Sequence, residues 1–325
     1  MLTLPFLTFK WPVSGIWGVC QCALTSKVHL SFACGDCASS LCYSAFCPLI
    51  SMKKFLIPLV VLLVCTLIVT GCANGESKRG YRYLEDNLNS SLNLIRESPD
   101  DANFTLHKTY WLLNDNFLAS YALKPYDPGL STKLMSTIEK YGYQHDHYIE
   151  ILFGNSTIEP NHKVEPEPKV VEKKDDVYYI KTEKVTDTVM DDYAQYLDKL
   201  CYEALWNAYG GNVSETDTLY NEALNMWDGK GFNDNVFKAH PENGYDTYKL
   251  AVFYYTAKAL GKLDTLEFKD TLLSTISGLQ ASNGGFYTYY YYDDNEKLQP
   301  RGSTNTETTS LILIALNYKP KPLSP

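Results

Sequence analysis

A short apolar run near residue 60 constrains this chain more than any other stretch. Phe55 to Thr70 is apolar almost throughout, yet it is shorter than the roughly 20 residues that a helix needs to cross a bilayer. Two lysines after Met52 precede the run, and Gly71 and Cys72 follow it. A positive start, a short apolar middle and a small-residue end are the three parts of a cleaved export signal. We therefore expect the folded domain to follow this run.

The end of the run, Val69-Thr70-Gly71-Cys72, resembles a lipobox. The resemblance implies that residues 52–71 are a lipoprotein signal peptide and that Cys72 is acylated and becomes the first residue. The small polar stretch over 72–80 suits a tether that holds a domain off a membrane. The sequence thus predicts a lipid-anchored protein on the extracytoplasmic face of the cell membrane, with that membrane as a partner.

Residues 1–51 contain six of the nine cysteines, several of them in close pairs. Such pairs suit a zinc knuckle. The alternative is that translation starts at Met52, because an export signal acts at the amino terminus; residues 1–51 are then an extension of the gene model without a fold of their own. On that interpretation, and with Cys65 inside the cleaved signal, only Cys72 and Cys201 remain in the mature chain. The apolar helical surroundings of Cys201 predict a buried, inert thiol.

The charge after residue 71 disfavours several partners. That part has 25 Lys and Arg against 37 Asp and Glu. This excess of negative charge repels nucleic acids and anionic lipids. A neutral or cationic ligand fits better. His145-Asp146-His147 lacks a third ligand at a telling distance, and the acidic run 293–296 does not match an EF-hand loop. We therefore predict no metal and no cofactor.

Apolar residues recur at helical spacing through most of the chain after residue 81, which predicts a mainly α domain over 81–325. The helical stretches are 81–96, 105–123, 130–141, 189–209, 219–227, 245–260, 266–279 and 310–316. Residues 148–186 lack this spacing, and Val177-Tyr178-Tyr179-Ile180 favours a strand. We expect a small hairpin-like insertion there.

Several loops resemble those of α/α-toroid proteins. The residues that carry the resemblance are Leu279-Gln280, Gly284-Gly285-Phe286 and Asn305-Thr306-Glu307-Thr308-Thr309. The group includes terpenoid cyclases, prenyltransferase β-subunits, complement thioester domains, six-hairpin glycosidases and uronyl epimerases. The resemblance implies a ring, or partial ring, of helical hairpins around a central funnel. The aspartate-rich motif of cyclases and the Cys-Gly-Glu-Gln thioester sequence are both absent, which disfavours those two activities.

Glycoside cleavage and sugar epimerisation need two carboxyl groups across a cleft, one as proton donor and one as base or nucleophile. Glu307, Asp246 and Asp115 lie at helix ends that a toroid turns toward its funnel, so they are the candidate catalytic residues. Each has a structural alternative. Glu307 fits a capping box that begins at Thr304, Asp115 fits the N-cap of a helix beginning at Asn116, and Asp246 precedes an apolar helix that it would cap.

Aromatic side chains stack on sugar rings, and an arginine fork binds a uronate carboxylate. The candidate ligand-binding residues are Trp111, Trp227, Tyr287, Tyr289, Arg301 and Asn305. The structural alternative for the tyrosine run 287–292 is a strand that covers the helices, and Arg301 would then pair with Asp293 or Asp294. Motifs of serine hydrolases, nucleotide-binding loops and zincins are absent from the sequence.

Two functions remain at this point. One is a non-catalytic surface or interaction module in which the carboxylates only cap helices. The other is a protein that binds or processes carbohydrate, of the glycoside hydrolase, lyase or uronyl epimerase type. The first describes the sequence slightly better, and the sequence leaves the oligomeric state and the glycan open.

Overall fold

The computed structural model describes residues 8–13, 16–21, 75–99, 110–145, 147–155, 158–173, 176–240 and 243–323. The chain divides into two compact units, Met1–Thr66 and Leu67–Pro325. In the first unit, strands β1 (Thr8–Val13) and β2 (Ile16–Gln21) pair antiparallel. This hairpin lies within residues 1–51, where no fold was expected. The predicted signal peptide over 52–71 and the acylated Cys72 lie outside the described residues.

The second unit contains helices and short strands in alternation. Its helices are α1 (75–86), α2 (Leu113–Leu123), α3 (Pro128–Lys140), α4 (Leu197–Tyr209), α5 (Val213–Asn225), α6 (Asn235–Ala239), α7 (Thr247–Ala259), α8 (Lys269–Gly278) and α9 (Thr306–Asn317), with 3-10 turns at Tyr148–Phe153, Tyr193–Gln195 and Leu263–Thr265. Its strands are β3 (Leu88–Asn89), β4 (Leu94–Ile95), β5 (Tyr110–Leu112), β6 (His162–Lys173), β7 (Asp176–Val189), β8 (Tyr245–Asp246), β9 (Phe286–Tyr292) and β10 (Leu298–Asn305).

Four helices form the inner layer of this unit. Most residues of α2, α4, α7 and α9 are buried on every side, as expected for helices that are apolar around their circumference. Helix α9 packs between α2 and α7, and α7 packs against α4. The amphipathic helices α3, α5 and α8 bury one stripe each, against α2, α4 and α7 respectively.

The strands of this unit form three small sheets. Strands β3 and β4 pair with each other, β7 lies between β5 and β6, and β9 lies between β8 and β10. Strand β5 runs parallel to β7, and the other pairs are antiparallel. Three inner helices begin directly after a strand: α2 after β5, α7 after β8, and α9 after β10. The sheets therefore fix the amino-terminal ends of the inner helices.

The predicted fold class is wrong. The unit is a mixed α/β fold, with about half of its described residues in helices and about a fifth in strands, and it is not a mainly helical toroid or partial toroid. The helix predicted over 81–96 ends at residue 86, and the residues that follow form the β3–β4 hairpin. Residues 110–112, expected to be helical, form β5. Such short strands have too few residues to establish an alternating pattern.

Two further segments differ from expectation. The strand predicted at 177–180 lies within β7, but β6 and β7 form a hairpin of 12 and 14 residues that β5 extends into a sheet. Residues 75–80, predicted to belong to a flexible tether, are helical. Within the described part of the chain, no helix combines the length and apolarity required to cross a membrane.

The buried side-chain amide of Asn116 joins the β3–β4 hairpin to the inner layer of helices. Asn116 is fully buried; its Oδ1 accepts from the Ile95 amide at 2.7 Å, and its Nδ2 donates to the carbonyls of Ile95 at 3.0 Å and Leu112 at 2.8 Å. We expect Asn116→Ala to lower the free energy of unfolding by about 2–4 kcal/mol, because it leaves buried backbone groups unpaired. Urea denaturation measures this. The solvent-facing amide of Asn235 is the control, and a similar loss for Asn235→Ala would contradict the account.

Candidate functional site

The segment after β4 connects the amino-terminal ends of α2 and α9. Asn116, in the first turn of α2, bonds both backbone groups of Ile95. Two residues further along, the carbonyl of Glu97 accepts from the Thr306 amide at the start of α9, at 2.8 Å. Asp115 and Glu307 are the chain neighbours of these two anchoring residues. The first turns of α2 and α9 therefore lie on either side of one short segment.

Strand β7 adds a third acid beside this segment. The Glu183 amide donates to Asn114 Oδ1 at 2.9 Å, which fixes Glu183 next to the first turn of α2. Its Oε2 lies 3.2 Å from Nε2 of the buried His147. His147 Nδ1 accepts from the Ile149 amide, so the other ring nitrogen is the one that faces Glu183.

A buried aspartate connects α4 and α7. Asp234 Oδ2 accepts from the Leu197 amide at the start of α4, at 3.1 Å, and lies 2.6 Å from Lys249 Nζ of α7. Lys249 also lies 2.9 Å from Asp246 Oδ2. Asp246 Oδ1 is 3.2 Å from His240 Nε2. Both oxygens of Asp246 are thus occupied, which makes this predicted catalytic residue an ion-pair anchor.

The carboxyl groups of Asp115 and Glu307, at the starts of α2 and α9, both have raised pKa values. Burial raises the pKa of Asp115 well above its usual range, and the neighbouring Glu307 raises it further. Burial also raises the pKa of Glu307, to about 8, and the charges of Glu183, Glu97, Asp198 and Asp246 raise it further. We call Asp115 and Glu307 the acid pair. The charge of Glu307 acts on Asp115, so these two predicted site residues lie near each other.

Neither member of the acid pair caps a helix. Asn305 is the N-cap of α9 and accepts from the Thr308 amide at 2.9 Å, so the capping-box alternative for Glu307 is wrong. Helix α2 begins at Leu113, with Leu112 as its N-cap, so the capping alternative for Asp115 is wrong as well. Asp115 is only 5% exposed. Among the described residues, neither carboxylate accepts a hydrogen bond or forms an ion pair.

The charge of Glu307 acts on three tyrosine hydroxyls. Burial raises the pKa of the Tyr148, Tyr202 and Tyr248 hydroxyls well above the usual range, and the charge of Glu307 contributes to all three shifts. The hydroxyls therefore stay protonated and act as donors. No partner for any of them is found among the described residues, although Tyr202 is 3% exposed. Donors and acceptors without partners at one place are the pattern expected of a polar ligand site.

Two lysines lie near the site, and other groups occupy both. Lys249 is held between Asp234 and Asp246, and these aspartates outweigh burial and raise its pKa. Lys199 Nζ lies 3.6 Å from the centre of the Tyr148 ring and donates to the Pro160 carbonyl at 3.2 Å. Burial lowers the pKa of Lys199.

The predicted ligand-binding residues do not gather around the acid pair. Trp111 is buried edge-on against Tyr178 at 5.2 Å, and Trp227 stacks on Phe268 at 4.3 Å. Trp111 is therefore part of the core, and the half-buried Trp227 packs against it. Asn305 is the helix cap described above.

Arg301 contacts the neighbouring strand β9. It donates to the Tyr291 hydroxyl at 2.7 Å, and the Tyr291 ring lies 5.0 Å from its guanidinium. Asp293 instead accepts from the amides of Asn295 and Lys297 and closes the turn between β9 and β10. The acidic run 293–296 is thus a turn, and the tyrosine run 287–292 forms β9.

A surface depression of about 550 Å³ lies beside the β9–β10 hairpin. Its lining is Ala281, Ser282, Asn283, Tyr287, Gly302, Ser303 and Thr304, so it contains Tyr287 of the predicted platforms and none of the acids. Tyr289 stacks on His240 at 5.0 Å, and through His240 it supports Asp246. Over the described ranges, no group of three or more His, Cys, Asp or Glu is arranged to hold a metal ion. Asp146 is outside those ranges.

Cys201 is fully buried in α4, as predicted. Burial raises its pKa, and a thiol held in its protonated form is not a nucleophile at neutral pH. Sequence reasoning missed Asp198, Glu183, Lys249 and the three tyrosines. Of these, only Lys249 could have been noticed in the sequence, because a lysine inside an apolar helix needs a buried acid as its partner.

Comparison with protein-family models, with curated proteins and with solved structures finds no match.

Proposed function

We propose that the Leu67–Pro325 unit is an acid–base enzyme that cleaves glycans outside the cell, with Glu307 and Asp115 as the reacting carboxyl groups. The observation that supports this most is that two neighbouring carboxyl groups at the first turns of α2 and α9, Asp115 buried and Glu307 half-buried, are bound to nothing else among the described residues. The non-catalytic interpretation needs these acids as caps, and Asn305 and Leu112 occupy the cap positions.

The chemistry follows from how such a pair titrates. Two interacting carboxyl groups lose their protons in two separate steps. Between the steps the pair holds one proton, so one group donates a proton to the leaving oxygen while the other acts as base or nucleophile. A raised pKa makes a carboxylic acid available at neutral pH. Glu307, with a pKa of about 8, is the proton donor in this scheme.

The surroundings of the pair suit a sugar. Protonated hydroxyls of Tyr148, Tyr202 and Tyr248 supply hydrogen-bond donors, and aromatic rings supply flat apolar faces. The predicted export signal and the predicted lipid on Cys72 support this proposal, because an exported protein has access to polysaccharide. Hydrolysis uses only the two carboxyl groups and water, which agrees with the prediction that the protein needs no cofactor.

The proposal predicts how rate depends on pH. The proton donor must be protonated to act, and Glu307 loses its proton near pH 8. We expect kcat/KM to fall about tenfold per pH unit above that value. Initial rates between pH 4 and 10 measure the profile. A rate that stays constant to pH 10 would exclude Glu307 as the donor.

A degradation screen tests the function itself. The purified protein is incubated with neutral, acidic and amino polysaccharides, and oligosaccharide products are identified by mass spectrometry. We expect products from at least one polymer, and no products with Glu307→Gln or Asp115→Asn. Release of product by both variants at the wild-type rate contradicts the proposal, as does the absence of product from every polymer with the wild-type protein.

A further inference from the structure

The surface depression beside the β9–β10 hairpin contains neither member of the acid pair, and the proposed chemistry makes no use of it. Its volume of about 550 Å³ lies within the roughly 300–1,000 Å³ that small-molecule sites occupy. Among the described residues, no charged side chain lines it, and the apolar part of the lining is Ala281 and the ring of Tyr287. Ligands that require an ion pair or a large apolar surface therefore fit it poorly.

Polar groups form most of the remaining lining. Ser282, Ser303 and Tyr287 each contribute a hydroxyl, and none of these hydroxyls has a hydrogen-bond partner within the described residues. Ser282 is exposed, and the other two residues are half-buried. A hydroxyl both donates and accepts hydrogen bonds, as the hydroxyls of a sugar also do. The lining therefore complements a ligand that is rich in uncharged hydroxyl groups.

The ring of Tyr287 differs from the other tyrosine rings of β9. Each of the others contacts a second ring or a cation: Tyr289 with His240, Tyr290 with Tyr245, Tyr291 with Arg301 and Tyr292 with Lys230. No such contact of Tyr287 is found in the described part of the chain. A half-buried aromatic face without a packing partner is available to stack on the apolar face of a pyranose ring.

A β-bulge in β10 forms part of the wall of the depression. The strands β9 and β10 pair on either side of the bulge, but Gly302 and Ser303 of β10 face the single residue Thr288 of β9. Gly302 has a left-handed φ of 76°, and a Cβ at this position would collide with the Thr288 hydroxyl. Glycine is therefore required here. Bulges of this kind re-aim side chains beside functional sites, and this one places Ser303 in the lining.

The turn between α8 and β9 forms another part of the wall. Asn283 Nδ2 donates to the Thr304 hydroxyl at 3.1 Å, and Asn283 Oδ1 accepts from the Gly285 amide at 3.0 Å. Thr304 is only 1% exposed, so the turn is fixed to a buried residue of β10. A depression whose walls are held in this way is preformed, and a preformed site loses less conformational entropy when a ligand binds.

We propose that this depression is a separate, non-catalytic site for a neutral carbohydrate, which stacks on Tyr287 and forms hydrogen bonds with Ser282 and Ser303. The inference goes beyond the proposed function and does not depend on it, because no lining residue is a reacting acid. In a protein that cleaves glycans, such a site holds the polymer on the enzyme. In a protein that does not, it is the binding function itself.

Native gel electrophoresis with polysaccharide in the gel tests the proposal. The neutral probes are a β-1,3-glucan, a xylan, a galactan and a galactomannan, and polygalacturonate is the acidic probe. We expect at least one neutral polymer to retard the wild-type protein, and polygalacturonate to retard it less. Tyr287→Ala should weaken binding about tenfold or more, whereas Tyr287→Phe keeps the ring and should stay within about threefold. Tyr179→Ala is the control, since Tyr179 is a 39% exposed tyrosine on β7, and it should bind like the wild type.

Absence of retardation by every neutral polymer overturns the inference, and so does unchanged retardation of the Tyr287→Ala variant. A second measurement needs no variant: when an oligosaccharide of the retarding polymer is added to the wild-type protein, the NMR signals of Tyr287 and Ser303 should shift. Shifts confined to other residues would contradict the proposal.

The failure of the proposed function is a separate result. It would appear as the absence of products in the degradation screen, while retardation by the neutral polymer persists. Glu307→Gln should likewise be retarded as strongly as the wild type, because Glu307 does not line the depression. Loss of retardation in Glu307→Gln but not in Tyr287→Ala would place glycan binding at the acid pair and overturn the inference.

Discussion

Glu307→Gln is expected to abolish turnover while making the protein more stable at alkaline pH. Loss of a general acid costs about 10²–10⁴-fold in rate. The stability gain follows from the pKa of Glu307, which is about 8 in the folded protein against an ordinary 4.5. Between these values the folded state binds a proton that the unfolded chain has released, so wild-type stability falls as pH rises. Glutamine is neutral throughout and avoids that loss.

We expect the variant and the wild type to unfold at similar denaturant concentrations below pH 5. The variant should gain about 1–3 kcal/mol by pH 8, measured by urea denaturation at several pH values. Glu296→Gln is the matched control, because the Glu296 side chain is 77% exposed, and it should change neither rate nor stability. A Glu307→Gln variant that is less stable at pH 8 than at pH 5, relative to wild type, would contradict the raised pKa.

Lys249→Met is expected to be the most destabilising single change at the site. Lys249 is 2% exposed and lies within 2.9 Å of both Asp234 and Asp246. Removing one member of a buried ionic group leaves the others uncompensated, which costs about 3–5 kcal/mol. Asp234 also accepts from the Leu197 amide, so the loss should loosen the start of α4. Urea denaturation at pH 7 measures the change.

Lys230→Met is the control for this prediction. Lys230 lies 3.0 Å from Glu296, and both side chains are well exposed, so its loss should cost less than about 1 kcal/mol. Adding Asp246→Asn to Lys249→Met should restore part of the lost stability, since the second change removes one of the uncompensated charges. Equal effects of the two lysine variants would show that Lys249 is not an electrostatic anchor.

The acid pair was predictable from sequence because its two members are acids at the starts of apolar helices. Helical spacing located α2 and α9, and residue type indicated Asp115 and Glu307. The rest of the site depends on tertiary structure. Glu183 is 124 residues before Glu307 in the chain, and only the pairing of β5 with β7 brings it beside α2. Tyr148, Tyr202 and Tyr248 come from different elements, and no spacing in the sequence relates them.

The prediction of the fold class was wrong for a related reason. Apolar spacing detects helices well, but strands of two or three residues such as β3, β5 and β8 have no detectable period. Their positions are nevertheless decisive, since β5 and β8 lead directly into α2 and α7. These short strands leave no pattern in the sequence, yet they fix the first turns of helices that contain candidate carboxylates.

The most direct test is a titration of the Asp115 and Glu307 side-chain carboxyl groups by carbon-13 NMR, in the wild-type protein and in Glu307→Gln. We expect a Glu307 midpoint near 8 in the wild type and a lower Asp115 midpoint once the Glu307 charge is removed. A Glu307 midpoint between about 4 and 5, or an Asp115 midpoint that Glu307→Gln leaves unchanged, would show that the two carboxyl groups do not form one site.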